Sequence, residues 1–156
     1  MMVPDAKGTY VLIACVAQTR RLEIGSLGVH EITPGYYVYV GSAHGAGGLQ
    51  ARIGHHLEST AEPHWHIDYL LRCAKPAEIW FAVDDAKLEP DWVKLFESAK
   101  QFRAPIRRFG SSDYHRSRSS HLFYSKRPPS FRWFQEQVLR QFDRLEVRQY
   151  ALTKSG

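Results

Sequence analysis

Only two cysteines occur among the 156 residues. Cys15 and Cys73 cannot build a disulfide framework, and both lie in apolar segments, so buried, reduced thiols are expected. Long hydrophobic runs are missing as well: YVLIACVA is about half of the roughly 20 residues a membrane-spanning helix needs. The start, MMVPDAKGTY, has no basic segment leading into an apolar stretch, so no secretory signal is expected. No membrane partner and a cytoplasmic location follow as expectations. Repeats and low-complexity linkers are also lacking, and 44% hydrophobic with 24% charged residues argues against wholesale disorder. The length suits one compact domain with a real core.

Acidic residues are scarce in only one part of the chain. Residues 1–98 carry 8 basic and 12 acidic side chains, a net of −4, and residues 99–156 carry 13 and 4, a net of +9, giving the overall +5. Such a division points to a polyanion partner for the second part. Its arginines and lysines (Arg103, Arg107, Arg108, Arg116, Arg118, Lys126, Arg127, Arg132) are interleaved with Tyr114, Phe123, Tyr124 and Trp133. Phosphate contacts beside stackable rings suit a nucleic acid, single-stranded or distorted above all. A solvated basic face has the same composition, and no base-reading motif accompanies it.

Strand-forming composition marks 8–17 and 35–43, with a hairpin or decorated connection between them. Gly45-Ala46-Gly47-Gly48 then opens a helix over 49–59 whose Leu49, Ile53 and Leu57 form one apolar stripe. Further expectations are a helix over 64–74, a strand over 77–83, a helix from Glu89 to about Phe102, and short strands at IRRF (106–109) and SHLFYS (120–125). A final amphipathic helix follows Pro128-Pro129, with Phe131, Phe134, Val138, Phe142 and Leu145 on one face. The fold class is α+β: a mostly antiparallel sheet of three or more strands flanked by helices, with an amphipathic C-terminal helix that packs back on the domain or makes a dimer contact.

Tyr10 and Tyr39 stand on the first two long strands, and Gly41 leaves space for a ligand's backbone. Strand periodicity alone is equally satisfied by core tyrosines. Arg52 and His56 lie four apart on one helical face, apart from the leucine stripe, and offer a phosphate fork and a proton carrier. A solvated polar face would show the same spacing. In His64-Trp65-His66-Ile67-Asp68 the alternation invites a metal reading, but residues two apart on a helix diverge, so structural support is favoured over an active-site role for His66 and Asp68.

GTY at 8–10, YVG at 39–41 with the following SA, the glycine-rich turn and the helical Arg52 together resemble the GIY-YIG nuclease superfamily. PHWHIDYLL (63–71) and FGSSD…SHLFY (109–124) are similar to a branch of small stand-alone or repair-enzyme-fused domains, so the resemblance covers about residues 7–125. It implies a metal-dependent endonuclease hydrolysing DNA phosphodiesters, structure- or single-strand-selective, with a place in DNA repair or mobile-element biology. Tyr10 matches the base or relay, Tyr39 the residue orienting water or phosphate, Arg52 the phosphate clamp and His56 the position near the nucleophile. One Mg2+ or Mn2+ is implied, held by a single glutamate that opens a helix after the third strand: Glu89 first, with Glu97 and Asp91 as alternatives.

The branch commonly places two cysteines between SSD and SHLFY, whereas YHRSRS stands here and adds His115, Arg116 and Arg118. Substrate contacts are expected at Gly41, Ser42, Arg107, Arg108, Arg116 and Arg118. The chain divides into a nuclease-like domain (1–125) and a basic helical extension (126–156) packed on it, as a monomer or weak homodimer. DNA is expected before RNA. The alternative is a catalytically weak nucleic-acid-binding accessory module, and a small-molecule phosphodiesterase would leave the basic half without a role.

Overall fold

The computed structural model describes residues 3–58, 62–110 and 120–152. The fold is α+β. β1 (Gly8–Val16) is the centre of a five-stranded antiparallel sheet, between β4 (Gly35–Ala43) and β5 (Lys75–Val83), with β6 (Leu122–Ser125) and β7 (Arg148–Ala151) on the edges. β2 (Arg20–Glu23) and β3 (Val29–Ile32) form a separate hairpin. The helices are α1 (Gly48–Glu58), α2 (His66–Leu70), α3 (Glu89–Ser98) and α4 (Phe131–Gln141).

Strand alternation divides the core in two. Tyr10, Leu12 and Ala14 face a layer made by Leu49 and Ile53 of α1, Ile67 and Leu70 of α2, and Ile24 and Ile32 beside the hairpin. Val11 and Ile13 face Trp92, Val93 and Phe96 of α3 and Phe134 and Val138 of α4. Helices therefore cover the sheet on both sides, which is why β1 reads as one unbroken apolar run rather than as an alternation. The C-terminal helix packs on this second layer, where Phe134 stacks on Trp80 with centroids 5.1 Å apart.

Four expectations differ from what forms. IRRF is a turn, because Arg108 (φ 64°) and Gly110 (φ 79°) take left-handed backbone that a strand excludes. The helix expected over 64–74 is regular only at His66–Leu70, and the N–H groups of Arg72 and Cys73 then tighten to carbonyls three residues back. α3 stops at Ser98, short of Phe102. β7, which was not expected, joins the same sheet from within the 126–156 extension. Cys15 and Cys73 are free but half-buried rather than fully enclosed.

A candidate active site around Tyr10

The antiparallel register sets Tyr10 opposite Gly41 and Leu12 opposite Tyr39. A Cβ at Gly41 would fall 2.3 Å from Tyr10 Cζ, so the phenol lies across this glycine. Gly41 thus makes room for Tyr10 rather than for a ligand's backbone. Tyr39 stands beside it on the same face, its ring centroid 6.2 Å away. Thr9, which points to the other layer, accepts a hydrogen bond from the Leu88 N–H at 3.3 Å and so ties the start of α3 to the same strand.

α1 is fixed at its head. Gly48 takes φ +57°, and a Cβ there would meet the Ala6 carbonyl oxygen at 2.3 Å. The N–H groups of Leu49 and Gln50 donate to the carbonyls of Ala6 and Pro4, satisfying free donors of the first turn. From this anchored helix Arg52 donates to the Ser42 carbonyl at 3.0 Å while its guanidinium lies over the Trp65 ring at 4.2 Å. The Ser42 hydroxyl is bonded to His44 Nδ1 at 2.8 Å. A cavity of about 250 Å³, lined by Gly45, Ala46, Ala51, Arg52, His55 and Trp65, opens beside them.

His56 turns inward and is only 2% exposed. Its Nδ1 lies 2.8 Å from Asp68 Oδ1 and its Nε2 2.6 Å from the Tyr10 hydroxyl. A carboxylate only accepts, so Nδ1 carries the hydrogen, and the neutral ring presents its Nε2 lone pair to a donating Tyr10. Burial holds His56 below its ordinary range despite the opposing pull of Asp68. For Asp68, burial pushes upward, but hydrogen bonds from His56 and from the backbone of Trp65 and His64 prevail and keep its carboxyl low. Tyr10 is pushed well above the usual phenol range by burial, with Tyr39 and Glu89 adding and Arg52 opposing. Tyr39 is raised by burial and by Glu89.

Glu89 opens α3 and is the carboxylate of that helix whose field reaches Tyr10, Tyr39 and Arg52. Burial raises its carboxyl to about 7, with Arg52 and Lys87 pulling back. His121 Nδ1 is 3.5 Å from Glu89 Oε1. Asp91 is half-buried and Glu97 exposed further along the helix. As a hard-oxygen donor among few others, Glu89 is the residue here that could hold Mg2+ or Mn2+ with most of the ion's waters kept. Among the described residues, no three His, Cys, Asp or Glu side chains converge as a cage.

His66 Nδ1 accepts from the Gly110 N–H at 2.8 Å and pins the turn that carries Arg107 and Arg108, both exposed. Arg116 and Arg118, with Tyr114 and His115, lie outside the described residues. The rings expected to stack on bases are otherwise engaged: Phe123 is core, Tyr124 donates to the Pro34 carbonyl at 2.6 Å, and Trp133 packs on Phe96. Arg103 lies over Tyr124 and Arg132 pairs with Glu136.

Residues 9–144 match the model of the family described as domain of unknown function DUF123. The chain belongs to that family. The match spans Tyr10, Tyr39, Arg52, His56, Asp68 and Glu89, so the whole cluster lies within the DUF123 domain, as does α4. No curated protein and no solved structure matches the chain. Among the described residues, no helix is long and apolar enough to cross a membrane.

The structural support expected of His66 and Asp68 is present, since Asp68 accepts from the His64 and Trp65 N–H groups and His66 from Gly110. What the sequence does not disclose is that Asp68 also bonds His56 and that His121 lies beside Glu89. A histidine twelve residues before an aspartate carries no local signal.

Proposed function

We propose that this DUF123 domain is a cytoplasmic, divalent-metal-dependent endonuclease of the GIY-YIG type, acting on DNA in preference to RNA, with a role in repair. The observation that carries this reading is the hydrogen-bonded line from Tyr10 to His56, flanked by the Arg52 guanidinium and the desolvated Glu89 carboxylate. Phosphodiester hydrolysis needs these parts: an acceptor for the proton of water, a cation for the phosphate charge and a carboxylate for a metal.

Arg52 sits at the mouth of the cavity, held by Ser42 and Trp65, and presents its free donors to a non-bridging phosphate oxygen. Tyr10 is a neutral phenol at rest, since burial opposes its ionisation. As a water attacks phosphorus, Tyr10 takes the water's proton and passes its own to His56 Nε2. Tyr39, edge-on to His56 at 6.1 Å, walls the pair against solvent. Arg107, Arg108 and the Ser42 edge meet the flanking phosphates. Glu89 would hold Mg2+ or Mn2+, which when bound neutralises charge on the leaving oxygen. Burial raises the Glu89 carboxyl to about 7, so protons compete with the metal for it and metal affinity falls as pH drops through that value.

The test incubates the protein with supercoiled plasmid and with nicked, branched and single-stranded oligonucleotides, in Mg2+, Mn2+ or EDTA. Metal-dependent cleavage that Arg52→Ala reduces by about 10²-fold or more supports the reading. Salt-sensitive binding without cleavage in any metal contradicts it and leaves an accessory binding module.

A further inference from the structure

Asp68 is a fully enclosed carboxylate whose two oxygens do different work. Oδ2 accepts from the backbone N–H groups of His64 and Trp65, both at 2.9 Å, which caps the start of α2. Oδ1 is left for His56 Nδ1 at 2.8 Å. The cap alone needs no histidine, and a buried histidine needs no ionised partner. Here the cap fixes the carboxylate in orientation, and the carboxylate fixes the ring. His55, a partly exposed side chain, turns its buried Nε2 to within 3.4 Å of Oδ2.

We propose that Asp68 is a positioning residue that locks His56 with Nδ1 protonated, so that its Nε2 lone pair always faces the Tyr10 hydroxyl. Tyr10, His56 and Asp68 are then one proton relay assembled from β1, α1 and α2. As the water O–H bond breaks toward Tyr10 and the P–O bond forms, the Tyr10 O–H bond breaks and an Nε2–H bond forms. The P–O bond to the departing oxygen breaks, its electron pair stays on that oxygen, and the oxygen is protonated by solvent, while His56 returns its proton through Tyr10. The imidazolium faces Asp68, which keeps its charge and takes no proton. An asparagine at 68 can accept from His56 or from the two backbone N–H groups, but its amide nitrogen then confronts the other set. The catalytic use of this relay rests on the nuclease reading; the ring orientation does not.

Two measurements on the full chain separate these. The first is the 15N chemical-shift pattern of the His56 ring. The expected wild-type spectrum has a pyrrole-type Nδ1 and a pyridine-type Nε2, whereas the opposite tautomer overturns the proposal whether or not the protein cuts DNA. This arm needs no variant, so a misfolded Asp68→Asn does not spoil it. The second compares single-turnover cleavage by Asp68→Asn, His56→Ala and the double variant, each checked by melting. A loss of about 10²- to 10⁴-fold in the rate, with DNA affinity within about twofold and no further loss in the double variant, supports the relay. Losses that multiply, or an Asp68→Asn rate near wild type, overturn it. A wild type that never cleaves removes the nuclease reading alone.

Discussion

Glu89 is a place where folding and chemistry pull apart. Its folded carboxyl sits near 7 rather than 4.5, so between these values the folded chain keeps a proton that the unfolded chain has released. The stability from this group is full below about 4.5 and is lost as pH rises through 7. Glu89→Gln is expected to raise unfolding free energy at pH 8 by about 1–3 kcal/mol, to leave it unchanged at pH 4, and to abolish cleavage. Denaturant melts at both pH values check the sign. Mg2+ or Mn2+ at pH 8 should raise the melting temperature of wild type and not of the variant. Gly41→Ala drives a methyl into the Tyr10 phenol, at a cost of about 1–3 kcal/mol and with loss of the Tyr10–His56 contact. A melt near wild type with full activity would contradict that packing.

Among the elements, the strands and helices that line the site were the legible ones. β1 and β4 announce themselves by unbroken β-branched and aromatic runs, and α1 by its leucine stripe with Arg52 and His56 one turn apart. What could not be read depended on contacts distant in the chain. Tyr10 meets His56 across 46 residues, and only the placement of α2 brings Asp68 behind that histidine. Three carboxylates on one helix look alike in sequence; only the packed fold shows that Glu89, at the head of α3 next to the Thr9–Leu88 hydrogen bond, is the one whose field reaches the cluster. β7 has no buried alternation because only its β5 partner holds it. The 106–110 turn hides in a β-like composition because Arg108 bears an uncommon left-handed φ. Arg108→Gly relieves that backbone, so stability should stay within about 1 kcal/mol of wild type. Its loss of charge should lower the salt slope of DNA binding by about one unit, read from binding isotherms at several salt concentrations. An unchanged slope would take Arg108 off the proposed DNA surface.

At the scale of the whole molecule, the sheet is enclosed on both faces, one face carrying the site and the other the aromatic core of α3 and α4. Phe134, fully buried between Trp80 and Trp92, is the keystone of that second layer. Phe134→Ala is expected to cost about 3–5 kcal/mol, measured by denaturant unfolding. A cost under 1 kcal/mol would mean that α4 is not integral to the fold. The positive charge that first suggested a polyanion also divides differently in three dimensions. Arg103 is laid over Tyr124, and Arg132 and Arg148 pair with Glu136 and Glu146, while Arg107 and Arg108 are exposed on the turn pinned to the site. In the proposed reaction the Tyr10 hydroxyl takes part in breaking a phosphodiester bond. The most direct measurement is single-turnover cleavage of a DNA panel by wild type and Tyr10→Phe in Mn2+, with binding measured on the same substrates. Binding is expected to stay within about twofold, and the rate to be lower by about 10²- to 10⁴-fold in the variant. Equal cleavage by both proteins would contradict it.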